Sequence, residues 1–178
     1  MSLTDQTIRD GASAEAVRAR GVLQRRVSPV DGDCFRASVA TLLGLSYEDV
    51  PDIRYHGVTA PVPGVDRGPV EDEHASVWWS QWMDWFRERN MALMQVRADV
   101  NGRVWCPPGT ASLGLVVSPR GCAHSVVCVD DVVAWDPSPH QDSYDLLLLS
   151  LTFLIVLDPA RRLAPYQDQQ EGVSNVDM

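Results

Sequence analysis

The sequence predicts an α+β domain in which an N-terminal helix packs on an antiparallel β-sheet. Three observations carry this. Between Asp31 and Leu45, DGDCFRASVATLLGL, the residues Phe35, Val39, Leu42 and Leu43 recur at helical spacing. Near the other end, the β-branched runs Ser125 to Val129 and Val132 to Trp135 flank an acidic Asp130-Asp131 apex, the pattern of a β-hairpin. Between these blocks Met94 and Val96 alternate with Gln95 and Arg97, as in a strand buried on one face.

In chain order, residues 1–21 read as a flexible arm, polar with scattered charge, carrying a marginal helix from Ala12 to Arg20. The domain itself is expected over 22–160, opening on a short edge strand at Val22 to Val27. The helix beginning near Cys34 follows, with Gly44 where a helix C-terminus favours glycine. Ser46 and Asp49 have capping-box spacing, so Tyr47 to Val50 is expected to form one helical turn stopped at Pro51. Pro51 to Asp72 is rich in Pro and Gly and longer than ordinary connections, which suits a loop lining a groove. A second helix is predicted over His74 to Asn90, with Trp78, Trp82, Trp85 and Phe86 along one side as a packing stripe. Trp79 lies about 100° away around that helix and is a candidate substrate contact.

Strands are predicted over Ala92 to Val100 and Leu113 to Ser118, then in the hairpin, where Asp136-Pro137-Ser138-Pro139 ends pairing because proline cannot donate. A last strand is expected over Thr152 to Leu157, stopped by Asp158-Pro159. Residues 161–178 are dominated by Gln, Asp, Glu, Gly and Ser and read as a disordered tail.

The chemistry centres on Cys34. Asp31, Gly32 and Asp33 precede it as turn and cap residues, so its sulfur is expected beside unpaired backbone N–H groups at the positive end of the helix dipole. That setting favours thiolate. A nucleophilic cysteine also needs a base, and the base a third group to orient it. His124 opens the first hairpin strand and Asp136 closes the second. With a three-residue loop, Val129 to Asp131, the two stand directly opposite on one face; a two-residue loop would turn Asp136 away unless a bulge restored parity. Val126 and Cys128 follow His124 at period two and are expected beneath the cysteine helix.

A cysteine on an early helix start, a histidine opening a strand and an acid on the next strand resemble the papain-like cysteine hydrolase superfamily. The sharper likeness is to the short C39-peptidase-like proteins of phages and bacteria. It is carried by GDCFRASVATLLGLSYEDVP and HSVVCVDDVVAWDPSP, together about a fifth of the chain. The resemblance implies a papain-like fold and a thiol peptidase or amidase, with Cys34 as nucleophile, His124 as general base and acid, and Asp136 as its orienting group. It also implies an oxyanion donor. Gln24, ten residues before Cys34, is the candidate for the family's glutamine, while the Cys34 backbone N–H, at a helix start, is the stronger one. The Cys-Gly-Ser/Ala-Cys-Trp/Tyr signature of papain and the cathepsins is replaced here by GDCF.

Composition bounds the alternatives. The chain has 178 residues, enough for one domain with a real core, and a net charge of −9 disfavours nucleic-acid binding. Its basic residues are all arginine. No signal-peptide core is visible, and the apolar run Leu146 to Leu157 is too short to span a bilayer as a helix, so a cytoplasmic address, bacterial or in a phage-infected host, is expected without membrane association. Four cysteines in such a setting read as free thiols. Cys106, Cys122, His124 and Cys128 lack the tight knuckles of a zinc site, and neither nucleotide nor zinc-protease motifs occur, so no cofactor or metal is expected. His56 in the long loop is a candidate border of the cleft. The expected partner is a peptide or amide-bearing substrate. The same triad would serve an acyltransferase of transglutaminase type, and the same fold a non-catalytic adaptor that binds a protein partner.

Overall fold

A computed structural model describes residues 12–28, 31–55, 69–119, 121–141 and 146–158, with side chains of the second long helix described from Glu73 onward. The fold is α+β: three helices, α1 (Ala14–Ala19), α2 (Cys34–Leu43) and α3 (Pro69–Glu88), and one antiparallel sheet. Its strands are β1 (Met91–Arg97), β2 (Ala111–Val117), β3 (Ala123–Val129), β4 (Val132–Trp135) and β5 (Leu148–Val156), in the order β1-β5-β2-β3-β4. The C-terminal strand therefore enters between β1 and β2. It is longer than expected because Leu148 to Leu151 pair with β2 and β1 as well.

α2 is the helix the apolar spacing predicts, closed by Gly44 in the left-handed region at φ 66°. α3 starts at Pro69, earlier than the predicted His74, because proline is favoured in a first helical turn, and this shortens the expected loop. It ends at Glu88, where Asn90 adopts φ 60°. The Asn90 side chain then clasps the far end of β5, donating to the Asp158 carbonyl at 2.7 Å and accepting from its N–H at 3.0 Å. Ser46 and Asp49 do make the capping-box bonds, yet residues 47–50 form a turn and not a helix.

α2 and α3 cover one face of the sheet. Val39 and Ala40 of α2, Trp82, Trp85 and Phe86 of α3 and Leu113 of β2 share one core cluster, so the tryptophan stripe is structural over most of its length. Contrary to expectation, Val126 and Cys128 are not under α2. They pack with Val116, Leu148 and Leu151 on the opposite face, and the β3 residue that meets α2 is Val127, against Leu42. Strand alternation forces this choice, since neighbouring residues point to opposite faces.

The arm is also corrected over its second half. Val17 of α1 is fully buried with Val127 and Ala134, Arg18 Nε donates to the Ala134 carbonyl at 3.1 Å, and the Ala12 N–H reaches the Gly109 carbonyl. Residues 22–27, expected as an edge strand, pair with none, because their backbone is claimed elsewhere: Val22 N–H by Thr41 Oγ1 and Gln24 N–H by the Pro137 carbonyl. Residues 1–11 and the expected tail lie outside the described residues. A docked α1 makes Val17→Ala cost about 2 kcal/mol, the worth of one buried valine side chain. Thermal unfolding would read this as a lowered midpoint, whereas a solvated arm would leave it unmoved.

Candidate active site

Cys34 occupies the first position of α2, half-buried. The turn before it requires Gly32, because a Cβ there would collide with the Ser28 carbonyl. Asp33 is the N-cap residue, but it makes no side-chain cap bond. Its carboxylate, almost fully buried, turns back to accept the N–H groups of Arg25 (3.1 Å) and Arg26 (3.0 Å) and the Tyr47 hydroxyl. The Arg25 and Arg36 guanidinium groups lie 4.1 and 4.0 Å from the centre of the Tyr47 ring. The expected cap is thus a clamp on the preceding strand of chain, and the first-turn N–H groups of α2 are left without it.

The helix start is fixed to β3 through one residue. Ser125 hydrogen-bonds the Cys34 sulfur through its backbone, and its carbonyl accepts from Ser38 Oγ at 3.1 Å. Cys34 and Ser38 are four residues apart, so both face β3 from one side of α2. Both backbone groups of a strand residue lie in the plane of the sheet, and β4 has ended at Trp135. The first turn of α2 takes the place β4 vacates at the edge of β3, and that puts the thiol next to His124.

The hairpin delivers the other two groups. Its loop has two residues, Asp130 and Asp131, not three, since Val129 pairs with Val132 and Cys128 with Val133. A bulge follows, after which Val127 pairs with Trp135. That single extra residue restores parity, as the alternative required. Continued, this register sets Asp136 beside Val126, so His124 and Asp136 are diagonal neighbours, not directly opposed. His124 Nε2 and Asp136 Oδ1 are 2.7 Å apart, and both residues are buried. Asp136 Oδ1 also accepts the Ser138 N–H at 2.8 Å, which pins the carboxylate. With Nε2 engaged, Nδ1 is the ring nitrogen left for its hydrogen bond to Cys34.

The electrostatics follow from this chain of bonds. Burial pushes the Cys34 thiol up, but the bond and positive charge of His124, with backbone bonds from Ser125 and Phe35, outweigh it and hold the thiol below its ordinary value. Burial lowers His124, yet its bonds to Asp136 and Cys34 and their negative charges push it up to about 10. Each partner stabilises the charged form of the other. Both shifts favour the thiolate–imidazolium form of the pair. Cys128, buried without such a partner, is pushed up to about 12.

Cys34 and His124 open onto a cleft of about 330 Å³ between α2 and α3. Phe35, Trp78 and Trp79 form one wall, with ring centroids of Phe35 5.1 and 5.7 Å from the two tryptophans. Trp79, read as an exposed residue beside the cleft, lines it half-buried. Gln24 is not among the lining residues: its side-chain amide donates to the Arg26 carbonyl at 3.2 Å and its backbone N–H to Pro137. His56 lies outside the described residues. The sequence reading missed Ser38, visible in principle as the residue one turn after Cys34, and missed Gln95 and Arg97 of β1, which also line the cleft. The Cys122 sulfur lies 3.1 Å from Ser118 Oγ, and no group of metal-ligating side chains is present among the described residues. No described helix is long and apolar enough to cross a membrane. No protein-family model, curated protein or solved structure matches the chain.

Proposed function

We propose that the protein is a papain-like cysteine hydrolase that cleaves peptide or amide bonds through a Cys34 thioester. The observation that carries this reading is the convergence of a helix-start cysteine with a buried histidine whose far nitrogen is held 2.7 Å from a carboxylate. A structural cysteine has no use for a partner that stabilises its thiolate.

The Cys34 thiolate attacks the carbonyl carbon of the substrate, and the oxygen gains the negative charge. The Cys34 backbone N–H, at the uncapped start of α2, is the donor best placed to meet that oxyanion. The His124 imidazolium gives its Nδ1 proton to the departing amine, leaving a thioester. Neutral His124 then takes a proton from water, which attacks the thioester carbonyl and frees the acid and the Cys34 thiolate. Asp136 keeps the ring oriented and stabilises its cationic form throughout.

The test is incubation with a proteome-derived peptide library, read by mass spectrometry for new termini. Wild type is expected to generate a consistent set of cleavages and Cys34→Ala to lose at least about 1,000-fold in rate, as triad nucleophiles do. Absence of cleavage by wild type, with a peptide retained equally by wild type and Cys34→Ala, would assign the cleft to binding instead.

A further inference from the structure

Arg26 and Arg36 line the cleft and Arg54 shares Asp52 with Arg26; all three are already committed. Arg26 binds Asp52 at 2.5 and 3.1 Å, Arg36 Nε donates to the Val50 carbonyl at 2.7 Å, and Arg54 binds Asp52 at 3.0 Å. Arg97, which lines the same cleft, is exposed and has no acidic partner among the described residues. In a chain of net charge −9, that makes it the point where an anion is locally welcome.

Its place relative to Cys34 follows from strand register. Arg97 pairs with Ser150, Ser150 with Leu115, and Leu115 with Ser125, the residue that holds the Cys34 sulfur. These four form one row across the sheet on the face covered by the helices. Three strand spacings of about 4.8 Å separate the ends, roughly 14 Å, or about four residues of extended peptide. Leu115 lies in the floor between them, and the Trp78 and Trp79 wall rises beside it.

We propose that the cleft receives an extended peptide bearing an acidic side chain, which Arg97 holds about four residues from the bond that Cys34 attacks. This rests on the hydrolase reading above and adds to it a substrate class and the residue that selects it. The carboxylate meets a planar guanidinium that bonds no acidic side chain among the described residues, while the intervening residues lie along Leu115 and the aromatic wall.

Aza-peptide epoxides, whose electrophile lies within the peptide, test this directly. An Asp is walked through four positions on either side of the electrophile, each compound matched by its Asn counterpart, and labelling of Cys34 is followed by intact mass. At one position Asp is expected to label about fivefold faster than Asn, the worth of a partly screened charge-assisted bond. Arg97→Gln should bring that ratio to one, and Arg97→Glu should drive it below one. A ratio of one at every position in wild type, or a preference that survives Arg97→Gln, overturns the role of Arg97 alone. Labelling of Cys34 no faster than of a free thiol by every compound overturns the hydrolase reading, and the proposal with it.

Discussion

In a His124→Ala variant, alkylation of Cys34 by iodoacetamide at pH 6 is expected to slow about 100-fold, because an ordinary thiol of pKa about 8.5 is roughly 0.3% ionised there. In wild type the imidazolium and backbone bonds from Ser125 and Phe35 favour the thiolate, against the penalty of burial. The direction is fixed by the pair: Cys34 lies below its ordinary value and His124 is pushed up to about 10, so thiolate and imidazolium coexist across the window between them. The wild-type alkylation profile should therefore lie at lower pH than that of His124→Ala. In the proposed mechanism turnover needs the imidazolium as acid, so it should fall as pH rises through about 10. Peptide mass spectrometry reads each cysteine separately, and Cys128, pushed up to about 12, serves as an unreactive internal control. If Cys34 instead titrates like a free thiol in wild type, or the rate at pH 6 is unchanged in His124→Ala, the ion pair does not exist.

Asp33→Ala is expected to cost roughly 3 kcal/mol and lower the unfolding midpoint by about 8 °C. The physical reason is an asymmetry. The carboxylate is buried, and removing it strands the Arg25 and Arg26 N–H groups and the Tyr47 hydroxyl, with Arg26 Nε 4.0 Å away. Unsatisfied buried donors cost more than the net gain of the bonds they made. Asp31→Ala, two residues earlier, provides the comparison: that side chain bonds Ser28 at the surface, and its loss should shift the midpoint far less. Equal shifts for the two variants would show that the buried bonds of Asp33 contribute no more than a surface turn. Because Asp33 adjoins Cys34, the same variant should also slow Cys34 alkylation, whereas a remote destabilisation of equal size would not while the protein remains folded.

Much of the site was legible because its parts are local. The spacing of Phe35, Val39, Leu42 and Leu43 fixes a helix, Gly44 its end and Cys34 its start, and all three depend on contacts within a turn or two. The hairpin was equally readable, and so was the condition on its parity. Which remedy the chain uses was not: a two-residue loop and a bulge satisfy the same alternation as a three-residue loop, and only the packing of Ala134 against Val17 and of Val133 against Cys128 selects between them. Asp33 was misread as a cap for a related reason. Its carboxylate has two sets of N–H donors within reach, and the set it takes depends on Tyr47 folding back over it from beyond the helix.

By itself, then, the sequence determined an α+β chain with a cysteine at the start of a buried helix and a His124–Asp136 hairpin able to face it. Tertiary structure alone decided that β5 enters between β1 and β2, and with that insertion came the row from Arg97 to Ser125 and the cleft above it. It also decided that α2 docks at the edge of β3 where β4 stops, so that Cys34 and Ser38 share the backbone of Ser125. Helix and hairpin follow from the order of neighbouring residues. The pairing of strands far apart in the chain follows from which apolar faces can be buried together, and no single segment carries that information.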